Sequence, residues 1–216
     1  EPMPNTVSGA VTPAQTSVTA TMSEAMRSLV AMFSVAQPAG EERTIHWLLL
    51  GAALCIGTVI RFWGLGSFSL QGDEETMALA VMHIVQDGRP ILPSGMFYPR
   101  GLSELYLMAA SVQIFGESEW AFRLPSALAG VATIYLCYVA GRGFLRAQWN
   151  IALAATVALL PEMIEYSQTA RMYISMLACV PASLACIFAW ERTGRLGWLM
   201  GGVLALILGI ELHALA

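Results

Sequence analysis

The sequence predicts an all-α multi-pass membrane protein: a transmembrane helix bundle whose first external loop contains an amphipathic helix. Three observations carry that expectation. Of 216 residues, 56% are hydrophobic and only 12% charged, with mean hydropathy +0.62, whereas a soluble domain carries roughly 25% charged residues. Apolar stretches recur along the chain, separated by glycine, proline and arginine. The one long loop, between the first two of these stretches, holds apolar residues at helical spacing.

Residues 1–42 are rich in Ser, Thr, Ala, Pro and Gly and are expected to form a disordered tail. Within the tail, Ser23 to Gln37 has the pattern of a short surface helix, and no basic stretch precedes an apolar run as a cleaved signal peptide requires. Residues 43–216 are expected to be the N-terminal part of a transmembrane module, because the chain reaches Leu215 and Ala216 inside an apolar run.

The first span reads "TIHWLLLGAALCIGTVIRF", Thr44 to Phe62, with no acid and Arg61 only at its end. About 20 apolar residues cross a bilayer, and Trp47 and Trp63 bracket the span as interfacial aromatics do. The loop from Gly64 to Arg100 is too long for a simple turn, and long loops of this kind are usually functional. Met77, Ala80, Val81, Ile84 and Val85 give it one apolar helical face, with Asp73 at the N-cap position, Thr76 three residues on, and Asp87-Gly88 as the stop. Such a helix is expected to lie on the membrane surface, after which "RPILPSGMFYPRG" returns the chain to the bilayer. Five apolar stretches follow: Leu102 to Phe115, Leu124 to Ala140, Ile151 to Leu160, Ile174 to Trp190, and Leu196 to the end. The first and third of these are short.

The arginines bear on topology, because cytoplasmic loops carry the excess of Lys and Arg. All 11 basic residues are arginine. If every stretch crossed from a cytoplasmic N-terminus, most of them would lie outside. If 102–115 does not fully cross, Arg27, Arg43, Arg142, Arg146, Arg192 and Arg195 lie inside, and Arg61, Arg89, Arg100, Arg123 and Arg171 lie outside. The second arrangement is preferred, and it gathers Asp73, Arg100, Arg123 and Arg171 on the non-cytoplasmic face.

Net charge −4 leaves no footprint for nucleic acid. The all-arginine cation set would suit an anionic-lipid ligand, since arginine grips phosphate with a planar fork, but a GC-rich genome is the favoured explanation. Cys55, Cys137, Cys179 and Cys186 lie in apolar runs without a CxxC pair and read as inert thiols. There is no zinc spacing, Walker loop or GxGxxG, so no cofactor and no metal ligand is assigned; a divalent ion has no residues to support it.

Charges at membrane depth are costly and call for a reason. Arg100 follows a proline in "FYPRG", Arg123 precedes a membrane stretch in "EWAFRLPSALAG" with Pro125 near the first turn, and Arg171 sits in "YSQTARMYISM" between Tyr166 and Tyr173. Each could simply snorkel to headgroups. Together they could hold an anionic leaving group beside a carboxylate acting as general base. For Asp73 the competing role is a plain helix N-cap, with Glu74 and Glu75 as first-turn acids favoured by the helix dipole.

Three stretches in order resemble the polyprenyl-phosphate-sugar-dependent membrane glycosyltransferases of the C superfamily, closest to the protein O-mannosyltransferase and lipid A aminoarabinose transferase family. They are "GDEE" after the first span, "FGESEWAFRLPSALAGVATIYLCYVAGRGF" over 115–144, and "PEMIEYSQTARMYISML" over 161–177. The resemblance implies an inverting transfer of a hexosyl or pentosyl group, on the non-cytoplasmic face of a cell membrane. The donor would be a polyprenyl-phosphate sugar, and the acceptor a hydroxyl on a protein or glycolipid. Asp73 then matches the catalytic base and Glu74 its companion, while Arg123 and Arg171 match arginines that bind the phosphate or hold the site. Arg100 and Tyr173 complete the candidate substrate-binding set. One departure stands out: "YPRGL" lacks the Pro-Pro pair usual where the chain re-enters the membrane, and Arg100 would supply the cation found there. His213 resembles a polar position in a later family helix. Two alternatives from other classes are a transporter or flippase of an anionic lipid-linked substrate, with Glu104 and Glu211 as its intramembrane acids, and a non-catalytic membrane scaffold.

Overall fold

The computed structural model describes residues 41–214; the expected tail up to residue 40, with its surface helix over 23–37, lies outside the described residues, while Glu41 and Glu42, expected at its end, open the first helix. These hold eight α-helices and no strand, with an isolated bridge between Ile91 and Phe97. In order they are α1 (Glu41–Phe62), α2 (Asp73–Asp87), α3 (Leu102–Phe115), α4 (Glu119–Gly141), α5 (Ala147–Leu159), α6 (Pro161–Gln168), α7 (Tyr173–Thr193) and α8 (Leu196–Ala214). Helices α1, α4, α7 and α8 are long and apolar enough to cross a membrane, and α5 with α6 forms a broken pair bent by 51°. The protein is an all-α multi-pass membrane protein. Helix α3 has 14 residues and so spans about 21 Å, too short to cross a ~30 Å hydrocarbon core upright.

Two local outcomes differ from the sequence expectations. Helix α4 begins at Glu119 rather than Leu124, because the Ser118 hydroxyl accepts a hydrogen bond from the Ala121 N–H at 3.3 Å and caps it there. Pro125 therefore falls inside the helix rather than in its first turn. Its missing N–H would strand the Ala121 carbonyl, but the buried Ser111 hydroxyl on α3 donates to that carbonyl at 2.7 Å. Ser111→Ala is accordingly expected to cost about 1–3 kcal/mol, the usual cost of an unsatisfied buried carbonyl. Denaturant unfolding checks this, and a loss near zero would mean that the proline break needs no external donor.

Helix α2 also departs from expectation. Its N-cap is Gly72, with no side-chain capping bond, so Asp73 is the first helical residue and not the cap. The stop is as predicted: Gly88 is left-handed and its N–H reaches Ile84 O at 2.8 Å. The apolar face of Met77, Ala80, Val81 and Ile84 is fully buried, packed in one core with Leu105, Met108 and Val112 of α3 and Phe122 of α4. The helix rests its apolar face on protein, where a membrane-surface helix would offer it to lipid. A second core unites Leu50 of α1, Ile134 and Tyr138 of α4, and Ala154 and Ala158 of α5.

The break between α5 and α6 is held by Arg61. Leu160 is extended (φ −64, ψ 121) ahead of Pro161, as the residue before proline prefers, and the last carbonyls of α5 are left without helical donors. Arg61, 0% exposed, donates to Val157 O and Ala158 O at 2.9 Å each, to Gly57 O at 3.1 Å and to Ser167 Oγ of α6 at 3.1 Å. A cation at a helix C-terminus is favoured by the helix dipole. Gly130 lets α4 approach this knot: a Cβ there would lie 2.1 Å from Ser167 Oγ. Through Arg61, α1 fixes α6 and with it the turn from Thr169 to Met172.

Candidate active site

The C-terminus of α1, the N-termini of α2, α4 and α7, and the end of α6 meet at one end of the bundle, tied by two ion pairs. Glu74 and Arg123 form the buried one. Arg123 Nε and Nη2 reach the two Glu74 oxygens at 3.1 and 2.9 Å. Its remaining N–H groups go to Leu65 O at 3.0 Å, Phe68 O at 2.8 Å and Ser69 O at 3.2 Å. A guanidinium has five N–H donors, and all five are directed at protein acceptors. Glu74 also accepts from the Gln71 N–H at 3.2 Å and from the Ala170 N–H. Burial works against its charge, but Arg123 and these two backbone donors outweigh burial and hold the carboxyl below the usual 4.5. Of the two roles offered for Arg123, binding phosphate or holding the site, the geometry fits the second.

Asp73 and Arg171 form the open pair. Arg171 Nη1 lies 2.5 Å from Asp73 Oδ2, with the carboxylate side chain 68% exposed and the arginine side chain 17%. Arg171 Nη2 donates to the Tyr173 hydroxyl, and its Cζ stands 4.8 Å from the Tyr173 ring centroid. Tyr166 packs against Tyr173 at 5.6 Å between centroids. The loop from Arg89 to Arg100 folds into a small hairpin in which Leu92 N–H donates to Met96 O at 2.9 Å and Tyr98 N–H to Pro90 O at 2.8 Å. This brings Tyr98 into the field of Arg100, Arg171, Asp73 and Tyr173; burial first of all pushes its phenol above the ordinary value, and the two arginines oppose the rise. Arg100 is exposed, with no hydrogen bond or ion pair among the described residues. Arg171 is paired with Asp73, and Arg100, near enough to act on the same Tyr98 phenol, adds a second guanidinium that an anionic ligand could use.

The structure thus brings Asp73, Arg171 and Tyr173 into direct contact, sets Arg100 at the same end, and separates Glu74 and Arg123 into a support beneath them. The contacts of Arg123 and Arg171 place both at the same end as the acids. A cleft of about 770 Å³ borders the support, between the loop after α1 and α6, with Trp63, Phe68, Glu165 and Thr169 among its walls. Sequence reasoning missed Tyr98, although it neighbours Arg100 in "FYPRG", and it counted Arg61 only as a topological charge. Nothing in the sequence flags the Ala170 N–H, a backbone group that only the fold aims at Glu74. Neither of the proposed transport acids bonds directly to the side chains of the open pair. Glu104 is buried against Ser126, and Glu211 accepts from Ser103 Oγ at 2.7 Å. His213 is exposed in the last turn of α8. Among the described residues no three His, Cys, Asp or Glu side chains gather to hold a metal ion.

Residues 100–213, more than half of the chain, match the family described as dolichyl-phosphate-mannose-protein mannosyltransferase. The matched segment includes Arg100, Arg123, Arg171 and Tyr173; Asp73 and Glu74 precede it and are joined to it by the two ion pairs. No curated protein and no solved structure matches the chain.

Proposed function

The chain belongs to the dolichyl-phosphate-mannose-protein mannosyltransferase family, and from that premise we propose that it transfers a sugar from a polyprenyl-phosphate donor to a hydroxyl acceptor. The acceptor is on a protein or glycolipid, the configuration at the anomeric carbon inverts, and the active face is non-cytoplasmic. The observation that carries the proposal is the exposed Asp73 carboxylate paired with Arg171 at the same end of the bundle as Arg100.

Asp73 takes the proton from the acceptor hydroxyl as that oxygen attacks the anomeric carbon. The bond from that carbon to the phosphate oxygen breaks, and polyprenyl phosphate leaves with the electron pair. Arg171 and Arg100 stabilise the charge gathering on the phosphate, and the Tyr173 and Tyr98 hydroxyls offer further donors. Arg171 is engaged with Asp73. An arriving phosphate competes for the guanidinium and leaves the Asp73 oxygen free for the acceptor. Glu74 and Arg123 act as the rigid base of the site, touching neither reactant.

The reading is tested with Arg171→Gln in the full-length protein, assayed with a short-chain polyprenyl-phosphate mannose. Loss of one charge-assisted bond costs about 1.5–3 kcal/mol, so the donor KM is expected to rise roughly ten- to hundredfold. An unchanged donor KM would remove Arg171 from the phosphate site.

A further inference from the structure

Glu104 is an acid that the proposed chemistry leaves unused. It sits in the first turn of α3 and is 1% exposed. Among the described residues it has no ion-pair partner. Its contacts are hydroxyls: Ser126 Oγ of α4 at 3.2 Å, and the Ser175 side chain of α7. A second acid, Glu211 of α8, adds its negative field. A buried charge without a cation is strongly disfavoured, and a neighbouring acid increases the penalty, so this environment suits a neutral carboxylic acid, which can donate a hydrogen bond as well as accept one.

The same Ser126 Oγ stands 3.1 Å from the main-chain carbonyl of Arg171. A serine hydroxyl has one proton to give. If it goes to the Arg171 carbonyl, Ser126 meets Glu104 as an acceptor, and Glu104 must be the donor. If it goes to Glu104, the Arg171 carbonyl loses this donor. The protonated acid satisfies every group in the chain.

We propose that Glu104 is a positioning residue: its carboxylic O–H donates to Ser126 Oγ, whose O–H donates to Arg171 O, fixing the turn that aims the Arg171 guanidinium at the donor phosphate. The turn is already held from the other side, where the Ala170 N–H meets Glu74 and the Arg171 N–H donates to Thr169 O at 2.8 Å. Glu104 and Ser126 supply the hold from the bundle interior. The inference rests on the proposal that Arg171 meets the phosphate.

The test is the Kd of polyprenyl monophosphate for the full-length protein in detergent, with thermal stability recorded for each variant. Glu104→Ala and Ser126→Ala are expected to weaken binding about tenfold, equivalent to ~1.4 kcal/mol. Glu104→Gln, whose amide also donates to one hydroxyl and accepts from the other, stays within about threefold of the wild type. Because the effect passes through Arg171, Glu104→Ala adds no further loss on an Arg171→Gln background. If Glu104→Ala does not fold, Ser126→Ala carries the same expectation. Wild-type binding in both Glu104→Ala and Ser126→Ala, with weakened binding in Arg171→Gln, overturns the positioning role and leaves the phosphate reading standing. An equal loss in Glu104→Gln and Glu104→Ala, or a full further loss on the Arg171→Gln background, also overturns it. Wild-type binding in Arg171→Gln overturns the phosphate reading and the inference with it.

Discussion

Asp73→Asn is expected to lower kcat by about 10²–10⁴-fold, the usual contribution of a positioned general base, while leaving donor binding and the fold intact. Asparagine matches the shape of the aspartate, and its carbonyl oxygen can still accept from Arg171, but it cannot take a proton from the acceptor. Donor affinity should be kept or improved, because a neutral amide holds the guanidinium less tightly than a carboxylate and yields it more readily to phosphate. Stability should change little: the cap of α2 is Gly72, and Asp73 makes no side-chain capping bond. Initial rates at saturating polyprenyl-phosphate mannose, with donor Kd measured alongside, check the expectation. A wild-type rate in Asp73→Asn would take Asp73 out of the chemistry and return it to an acid of the first helical turn.

Arg123→Leu is expected to destabilise the protein by about 3–5 kcal/mol, the range for removing one partner of a buried ion pair. Glu74 would remain buried without its cation, and the carbonyls of Leu65, Phe68 and Ser69 would lose their shared donor. Glu74→Leu should be comparably harmful. The double replacement should cost less than the sum, because it strands no charge. The pair also sets a pH dependence. The folded carboxyl of Glu74 lies below its unfolded value of 4.5, so its stabilisation is complete above that value and is lost as pH falls through the lower folded value. Unfolding followed between pH 7 and 3 should show this loss in the wild type and not in Glu74→Gln. A cost under about 1 kcal/mol for Arg123→Leu would place the pair with weak surface ion pairs.

The helices were legible wherever one physical signal dominated. The span ending at Phe62 follows from an unbroken apolar run, and the end of α2 from Asp87-Gly88. The start of α2 is ambiguous in sequence because Asp is both a good cap and a good ion-pair partner, and only the distant Arg171 decides between them. Of the predicted apolar face, Met77, Ala80, Val81 and Ile84 are buried and Val85 is partly so, but periodicity cannot say whether lipid or α3 covers it. Helix α4 extends back to Glu119 through a weakly apolar turn because Ser118 caps it, and Ser111, on another helix, makes Pro125 tolerable. The resemblance placed Asp73, Glu74, Arg123 and Arg171 together, yet their division into an open pair and a buried pair depends on which side chains are enclosed. Arg61 illustrates the remaining gap: a charge at the end of an apolar span reads as interfacial, while the fold buries it against carbonyls freed at a helix break.

In the proposed reaction this end of the bundle breaks the bond between sugar and phosphate in a lipid-linked donor. The most direct measurement reconstitutes the full-length protein in liposomes with polyprenyl-phosphate mannose labelled in both sugar and lipid, and follows the two labels in the wild type and Asp73→Asn. The expected result is labelled sugar on the acceptor, with inverted configuration and an equal amount of free polyprenyl phosphate, and neither product in Asp73→Asn. Movement of the intact doubly labelled donor across the bilayer, without cleavage, would contradict the account and favour a flippase.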